Sequence, residues 1–227
     1  MATQKAELSN AAGAVLLRSD QGSITTLTLN RPNSGNSLSH ELVDALQAAW
    51  DEIDGDASVR VVVLAASGRL FCTGHDLNES IDAMEDPPTK LAANRACSRM
   101  MQSMLKLSKP IIAKVHGVAT AAGCQLMATC DLAVASTEAR FATPGVNIGL
   151  WCLSPQVAIS RTIAPKHAMQ MLLTGELQDA ETALRFGLIN EAVVPDQLDA
   201  RVGELAALIA SKSPHSLAMG KRSFYRQ

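Results

Sequence analysis

"IIAKVHGVATAAGCQLMATCDLAVAS" (Ile111–Ser136) is the stretch that decides the fold. "IIAKVHG" reads as a strand, "CQLMATC" as a short helix and "DLAVAS" as a further strand. A strand that returns through a helix to a second strand makes a βαβ unit, and such units pair their strands in parallel. Between the first strand and the helix runs "GVATAAG", nearly bare of side chains, and the first polar side chain after it is Gln125. A backbone this bare lets another group approach closely.

The same alternation extends outward. "GAVLLRS" and "SITTLTLN" flank the turn "DQGS" and read as a hairpin. "RPNSGNS" is a loop. Leu42, Leu46, Ala49, Trp50 and Ile53 then fall at helical spacing behind Ser39, a residue type suited to an N-cap. "VRVVVLAA" is a continuous apolar run, the pattern of a strand buried on both faces. "SGRLFCTGHDL" is a loop that enters a helix, and "DPPTK" breaks the chain. From about Leu91 to Leu107 the pattern is again helical, with Met100, Met104 and Leu107 on one stripe. After Pro155 the reading is mostly helical, with breaks near Pro165, Gly175, Gly187 and Pro195. The class is α/β, built on a largely parallel sheet.

Composition excludes several functions. The chain is 47% hydrophobic with only 3% aromatics, so aliphatic residues and Met must fill the core. A net charge of −2, with no basic cluster interleaved with aromatics, gives no sign of a nucleic-acid surface. Cys72, Cys97, Cys124, Cys130 and Cys152 are odd in number and lack C-x-x-C spacing, which argues for reduced thiols rather than a disulfide frame or a zinc site. "MATQKAELSN" has no apolar segment of the secretory type, and no apolar run approaches the ~20 residues that span a bilayer. The expectation is a cytoplasmic protein with no membrane partner.

In parallel sheets ligands sit where strands run into helix-entering loops. Two loops fit, "FCTGHDL" (Phe71–Leu77) and "GVATAAGCQL" (Gly117–Leu126). The N–H groups of a helix's first turn lack intrahelical partners and carry the positive end of its dipole. Two such loops facing each other can hold a negative oxygen between two donors, an oxyanion hole. The competing reading is that these glycines only make tight turns and close packing.

Five segments carry a resemblance that bears on this choice. "LNRPNSGNSLS" is similar to an opening L-N-R-P…N-x-L, and "FCTGHDL" to F-x-x-G-x-D-L. "KPIIAKVHGVATAAGCQLMATCDLAVAS" is similar to K-P-x-I-A-x-x-x-G…G-G-x-E-L…C-D. "FATPGVNIGL" resembles F-x-x-P-E…G, and "LLTGELQDAETALRFGLINEAVV" the passage ending A-x-x-x-G-L-V-x-x-V-V. These are motifs of the enoyl-CoA hydratase/isomerase (crotonase) family, in order and over nearly the whole chain.

The resemblance implies a crotonase-like spiral of ββα units over residues 1–154, two roughly perpendicular sheets wrapped by helices. A C-terminal helical region over 155–227 would serve trimerisation, with trimers paired into hexamers. Family members continue into further helices, so that region is expected to be incomplete. Val202–Ile209 and Met169–Leu173 supply its candidate interface surface. The substrate implied is an acyl-CoA thioester, with coenzyme A as part of the substrate and no other cofactor. Carried over by position, the N–H groups of His75 and Ala122 form the oxyanion hole. Asn33, Ser34, Gly35 and Asn36, with His75, Asp76, Leu77, Asn78 and Ala122, line the CoA path. For Asp76 the favoured role is to tie down its own turn.

The chain departs from the family at the two catalytic glutamates. Their positions fall on Gln125 and Gly145. An amide can orient water but cannot accept its proton, and glycine offers no side chain. His75, Asn147, Trp151, Cys124 and Cys152 are the nearby substitutes weighed for this role. The cysteines read as small buried hydrophobes, Trp151 as pocket wall or core, and His116 as locally hydrogen-bonded. No metal cluster, Walker loop or G-x-G-x-x-G is present in the sequence. Two functions remain open. One is an enzyme on acyl-CoA, a hydratase with weakened chemistry. The other is a non-catalytic acyl-CoA binder or regulator on the same fold.

Overall fold

The computed structural model describes residues 13–82 and 86–226; the first ten residues read above therefore lie outside the described part. The larger sheet has six strands in the order β1-β2-β3-β4-β6-β9. These are β1 (Leu16–Gln21), β2 (Ile24–Leu29), β3 (Val61–Ala66), β4 (Ile111–Val115), β6 (Leu132–Ser136) and β9 (Glu191–Val193). The smaller sheet holds β5 (Val118–Thr120), β7 (Arg140–Ala142) and β8 (Gln178–Asp179). β1 and β2 form the expected hairpin, with Leu16 opposite Leu29 and Gln21 opposite Ile24. The turn narrows to Gly22 and Ser23, and Gly22 takes φ +60°. All further pairs of the larger sheet are parallel.

The uninterrupted apolar run of β3 is explained by two cores. Side chains alternate across a strand. Val62 and Leu64 enter the main core, with Ile111, Ala113 and Ala135. Val61 and Val63 point the other way, with Ile112 and Val134, against Leu198, Val202 and Ala206 of α8 (Leu198–Ala210). The main core is closed by α1 (His40–Gly55), which buries Leu42, Leu46, Trp50 and Ile53. Ser39 caps α1 as expected, its side chain accepting from the Leu42 N–H at 3.2 Å. α2 (Leu77–Asp82) is short, and α3 (Pro87–Lys106) adds Met100 and Met104 to the core. "DPPTK" is where α3 starts, not a break before it. Proline is tolerated in a first turn, where its missing N–H would have had no partner.

The chain after Pro155 is less purely helical than its sequence suggests. α5 (Pro155–Thr162), α6 (Pro165–Thr174), α7 (Ala180–Phe186) and α9 (Pro214–Phe224) are present. However, β8 joins the smaller sheet and β9 the larger. Val202 and Ala206 face this chain's own sheet, as Met171 and Leu172 face its core, so these four are not interface surface. Met169, Leu173 and Leu208 are exposed. α9 is anchored by Asp131, which accepts from Lys221 Nζ at 2.6 Å, from the Tyr225 hydroxyl at 3.0 Å and from the Ile111 N–H at 2.7 Å. No helix among the described residues is long and apolar enough to cross a membrane.

Candidate active site

The two loops selected from sequence lie against each other. The Phe71 and Cys72 N–H groups both donate to the Val118 carbonyl, and the Thr120 N–H returns to Cys72 O at 3.0 Å. The approach is close enough to dictate glycine. A Cβ at Gly117 would sit 2.2 Å from Arg69 O, and one at Gly123 would sit 2.1 Å from Cys72 O. The packing role weighed for these glycines is therefore real, and its consequence is that the two loops meet. A Cβ at Gly74, whose φ is +105°, would lie 2.9 Å from Ala121 Cβ and 3.2 Å from Ala122 N.

This crossing predicts a pair of stability changes of opposite sign. Gly123→Ala forces a methyl group into a backbone carbonyl and should cost about 1–3 kcal/mol or more. Gly203→Ala, in α8 with nothing within 4 Å of the new Cβ, should gain about 1 kcal/mol. Chemical-denaturation midpoints of the two variants measure both.

His75 is bridged in parallel to Leu38. The Leu38 N–H donates to Gly74 O at 2.7 Å, and the Asp76 N–H donates to Leu38 O at 3.2 Å. In such a bridge the middle residue's own N–H points away from the partner strand. The N–H groups of His75 and Ala122 have no hydrogen-bond partner among the described residues. Ala122 opens α4 (Ala122–Thr129), so the helix dipole lies behind its N–H. Ala121 just before it takes φ +50° and ψ −124°, a region a side chain rarely adopts. Strain of this kind persists where the surrounding structure holds it and clusters at ligand sites.

The imidazole of His75 is half-buried and turned toward α3, with Nε2 3.4 Å from Cys97 Sγ. Burial lowers its pKa below the ordinary 6.5. His75 lines a cavity of about 60 Å³ between α1, α2 and α3, whose wall is mixed: Leu38, Val43, Ala93 and Cys97 are apolar, and His40, Asp76, Glu79, Lys90 and Asn94 are polar. Asp76 does tie its turn, accepting from the Asn78 N–H at 3.2 Å, but it reaches further. Its other oxygen accepts from Arg31 Nη1 and Ser37 Oγ, both at 3.0 Å. Burial alone would raise its pKa, yet hydrogen bonds from Arg31, Ser37 and the Asn78 N–H hold it below the usual carboxylate range. Arg31 and Ser37 were not singled out in the sequence. Only pairing across 45 and 39 residues gives them a role.

Asp76→Asn should therefore destabilise the protein by about 1–3 kcal/mol at neutral pH. An acid whose folded pKa is depressed contributes stability that is complete above its unfolded pKa of ~3.9. That contribution is lost as pH falls through the lower folded value. The difference between wild type and variant should close below that value, which pH-dependent denaturation would follow.

The loop 33–36 is a 3₁₀ turn with Gly35 at φ +60° and Asn36 at φ +53°. Asn33 and Ser34 are exposed. Asn36 is fully buried and serves as a clamp: Oδ1 accepts from the Arg31 N–H, and Nδ2 donates to the Ser67 and Leu70 carbonyls, each at 2.8 Å. Leu77 is exposed, as is Asn78.

Of the two positions assigned to glutamates, Gln125 lies in closed surroundings and Gly145 is half-buried. Gln125 is buried, and its Oε1 has no partner and no solvent contact; Thr143 Oγ1 is in the same state. A Cβ at Gly145 would meet Leu150 O at 2.9 Å and Cys152 Sγ at 3.0 Å. The substitutes weighed there are engaged elsewhere. Asn147 Nδ2 donates toward Gly175 O at 3.4 Å, and Trp151 Nε1 donates to Gln156 Oε1 at 2.7 Å. His116 Nε2 lies 2.8 Å from Gly68 O. All five cysteines are buried free thiols, and burial pushes Cys124 up to about 12 and Cys97 up to about 11. Among the described residues no group of three His, Cys, Asp or Glu side chains could hold a metal ion.

This fold, with two partnerless N–H groups at the crossing of its loops, defines the class. The chain belongs to the enoyl-CoA hydratase/isomerase family, whose model matches residues 19–227. The mitochondrial enoyl-CoA hydratase domain-containing protein 3 of Mus musculus is 41% identical over 91% of this chain and 69% of its own length. The (E)-benzylidenesuccinyl-CoA hydratase of Thauera aromatica is 37% identical over 88% of this chain and 78% of its own. The crystal structure of an enoyl-CoA hydratase from Mycobacterium smegmatis matches with a TM-score of 0.90 at 46% identity, covering 93% of this chain and 82% of that one.

The names of the domain-containing relatives overturn the cytoplasmic expectation, since all of them place those proteins in the mitochondrion. The physical grounds for that expectation did not discriminate. A secretory signal is marked by an apolar segment, but a mitochondrial transit peptide is amphipathic, so a search for apolar segments says nothing about it.

Proposed function

We propose that this protein binds acyl-CoA thioesters, with the thioester oxygen between the N–H groups of His75 and Ala122. The observation that carries the reading is the pair of partnerless donors on loops that meet at Gly74. Two N–H groups, one of them at a helix N-terminus, suit an enolate oxygen. The exposed Asn33–Ser34 edge and the backbone of 76–78 take the nucleotide and pantetheine, with coenzyme A part of the substrate and no further cofactor. By family the reaction is hydration of an enoyl-CoA. We place this chain at the slow end of that reaction, because Gln125 and Gly145 stand where the resemblance puts the two glutamates.

A second reading is a non-catalytic acyl-CoA binder or regulator. It is favoured by Gln125, whose amide oxygen is buried without a partner and cannot take up a proton near neutral pH. Crotonyl-CoA hydration measured beside titrations with a thioester and with free CoA separates the two. Binding without turnover supports the second. Failure of the thioester to bind better than CoA rejects both.

For assembly we propose a homotrimer or homohexamer. Exposed Ile148 ends the 3₁₀ turn (Pro144–Ile148) that packs beside α6, Leu150 and Leu153 follow it in sequence and are exposed too, and so are Met169 and Leu173 of α6. Sedimentation at micromolar concentration tests this, and a monomer rejects it.

A further inference from the structure

We infer that the acyl group held here carries a hydroxyl on its β-carbon, and that Thr143, together with Gln125, recognises it. The inference rests on the oxyanion site proposed above and says which thioester that site prefers.

Two buried side chains near that site lack partners. Thr143 is fully buried and Gln125 is 7% exposed, and neither Thr143 Oγ1 nor Gln125 Oε1 has a hydrogen-bond partner among the described residues. Buried polar side chains are nearly always satisfied, so two such atoms close to one donor need a physical reason. The other two among the described residues, on Trp50 in α1 and on Arg60 just ahead of β3, belong to neither loop.

Backbone pairing brings both residues to Ala122. β5 and β7 run parallel with Thr120 opposite Ala142, and the Ala121 N–H donates to Ala142 O at 2.9 Å. Thr143 follows Ala142 as Ala121 follows Thr120, so Thr143 stands at the entry to α4. Gln125 comes one turn after Ala122 in α4 and so shares its face. Helical side chains lean toward the N-terminus, which carries the Gln125 amide back toward the Ala122 N–H. Pro144 and Gly145 are half-buried, so the buried pair borders the surface at that turn.

The chemistry of the two atoms narrows what can meet them. They are not bonded to each other, so a third group must satisfy both. An amide oxygen only accepts, whereas a threonine hydroxyl donates and accepts. A hydroxyl can donate to Gln125 Oε1 and accept from Thr143 at the same time. A hydrocarbon does neither, and a carbonyl or carboxylate oxygen cannot donate. An ammonium could donate to both, but it would bring a buried charge to two partners that carry none. Because both residues flank the oxyanion donor, the hydroxyl belongs on a carbon near the thioester. Conjugate addition of water to an enoyl thioester places oxygen on the β-carbon. Neither residue exchanges a proton near neutral pH, so the pair holds this hydroxyl without adding or removing it.

Calorimetric titration of the intact protein with butyryl-CoA and with each enantiomer of 3-hydroxybutyryl-CoA tests this, with free CoA as reference. The better enantiomer should bind at least about fivefold tighter than butyryl-CoA. Thr143→Val keeps the shape of the side chain and removes its hydroxyl. It should bring that ratio to about one and leave butyryl-CoA affinity within about twofold. It should not lower the denaturation midpoint of the free protein, since the hydroxyl it removes has no partner there. Thr143→Ser, which keeps the hydroxyl, should keep the preference. Equal affinity of the wild type for butyryl-CoA and both enantiomers overturns the inference, and so does a preference that survives Thr143→Val. A lowered midpoint in Thr143→Val overturns it as well, because the hydroxyl would then be satisfied within the fold. All three outcomes leave the oxyanion reading standing. That reading fails separately, if butyryl-CoA binds no better than free CoA.

Discussion

Crotonyl-CoA should be hydrated by this protein at least about 10²-fold more slowly than the ~10 s⁻¹ of an ordinary enzyme. Placing water and moving its proton needs groups that exchange protons near neutral pH, and such groups supply typically ~10²–10⁴-fold. Gln125 can orient a water but not deprotonate it, and Gly145 can do neither. Gln125→Glu should raise turnover at least about tenfold over the parent. The carboxyl would sit where Oε1 is now buried and unpartnered, and burial would lift its pKa toward the range a general acid–base needs. Gly145→Glu is a harder change. Its φ lies outside the left-handed region, so the obstacle is space: the Leu150 carbonyl is backbone and cannot swing aside, whereas Cys152 can be shortened to alanine. A parent turnover of ~10 s⁻¹ would sink the prediction and point to His75, whose lowered pKa leaves a neutral imidazole able to accept a proton at pH 7. In that case His75→Ala, which keeps the backbone donor, should abolish turnover while thioester binding persists. The parent rate should then fall only as pH drops below 6.5.

Much of this arrangement was legible in the sequence because it is local. The β1–β2 hairpin, the Ser39 cap and the double-faced strand Val61–Ala66 follow from residue type and spacing. The helix-entering loops at 71–77 and 117–126 do as well. What escaped is either very short or depends on distant partners. β8 has two residues and β9 three, too few for a periodicity, and each exists because a neighbouring strand offers an edge. Two prolines in a row read as a break, whereas the chain uses them to begin α3. Asp76 looked like a local turn carboxylate because Arg31 and Ser37 lie far upstream in sequence. Nothing local signals that Ala121 takes a positive φ, since alanine there disobeys its own preference. The closeness of Cys97 to His75, and with it the small cavity, belongs to the packing of α3.

Ala122→Pro should separate the oxyanion hole from the rest of the binding site. The substitution removes one N–H donor. A hydrogen bond to a charged group contributes about 1.5–3 kcal/mol, so acetoacetyl-CoA, whose enolate form mimics the charged state, should lose about 10- to 150-fold in affinity. Free CoA makes no such bond and should lose little. Proline suits the first position of a helix, but it restrains the residue before it to an extended ψ, and Ala121 stands at −124°. Some damage to the loop is therefore expected, and the ratio of the two affinities is the quantity to read, because misfolding would lower both. Gly74→Ala attacks the same point from the facing loop. It keeps both donors but brings a methyl group to about 3.2 Å from Ala122 N, and it strains a backbone at φ +105°. It should likewise weaken the thioester more than free CoA, this time by occupying the space of the oxygen. If both variants lower the two ligands equally, the partnerless N–H groups of His75 and Ala122 do not meet the thioester, and the acyl group is held by other contacts.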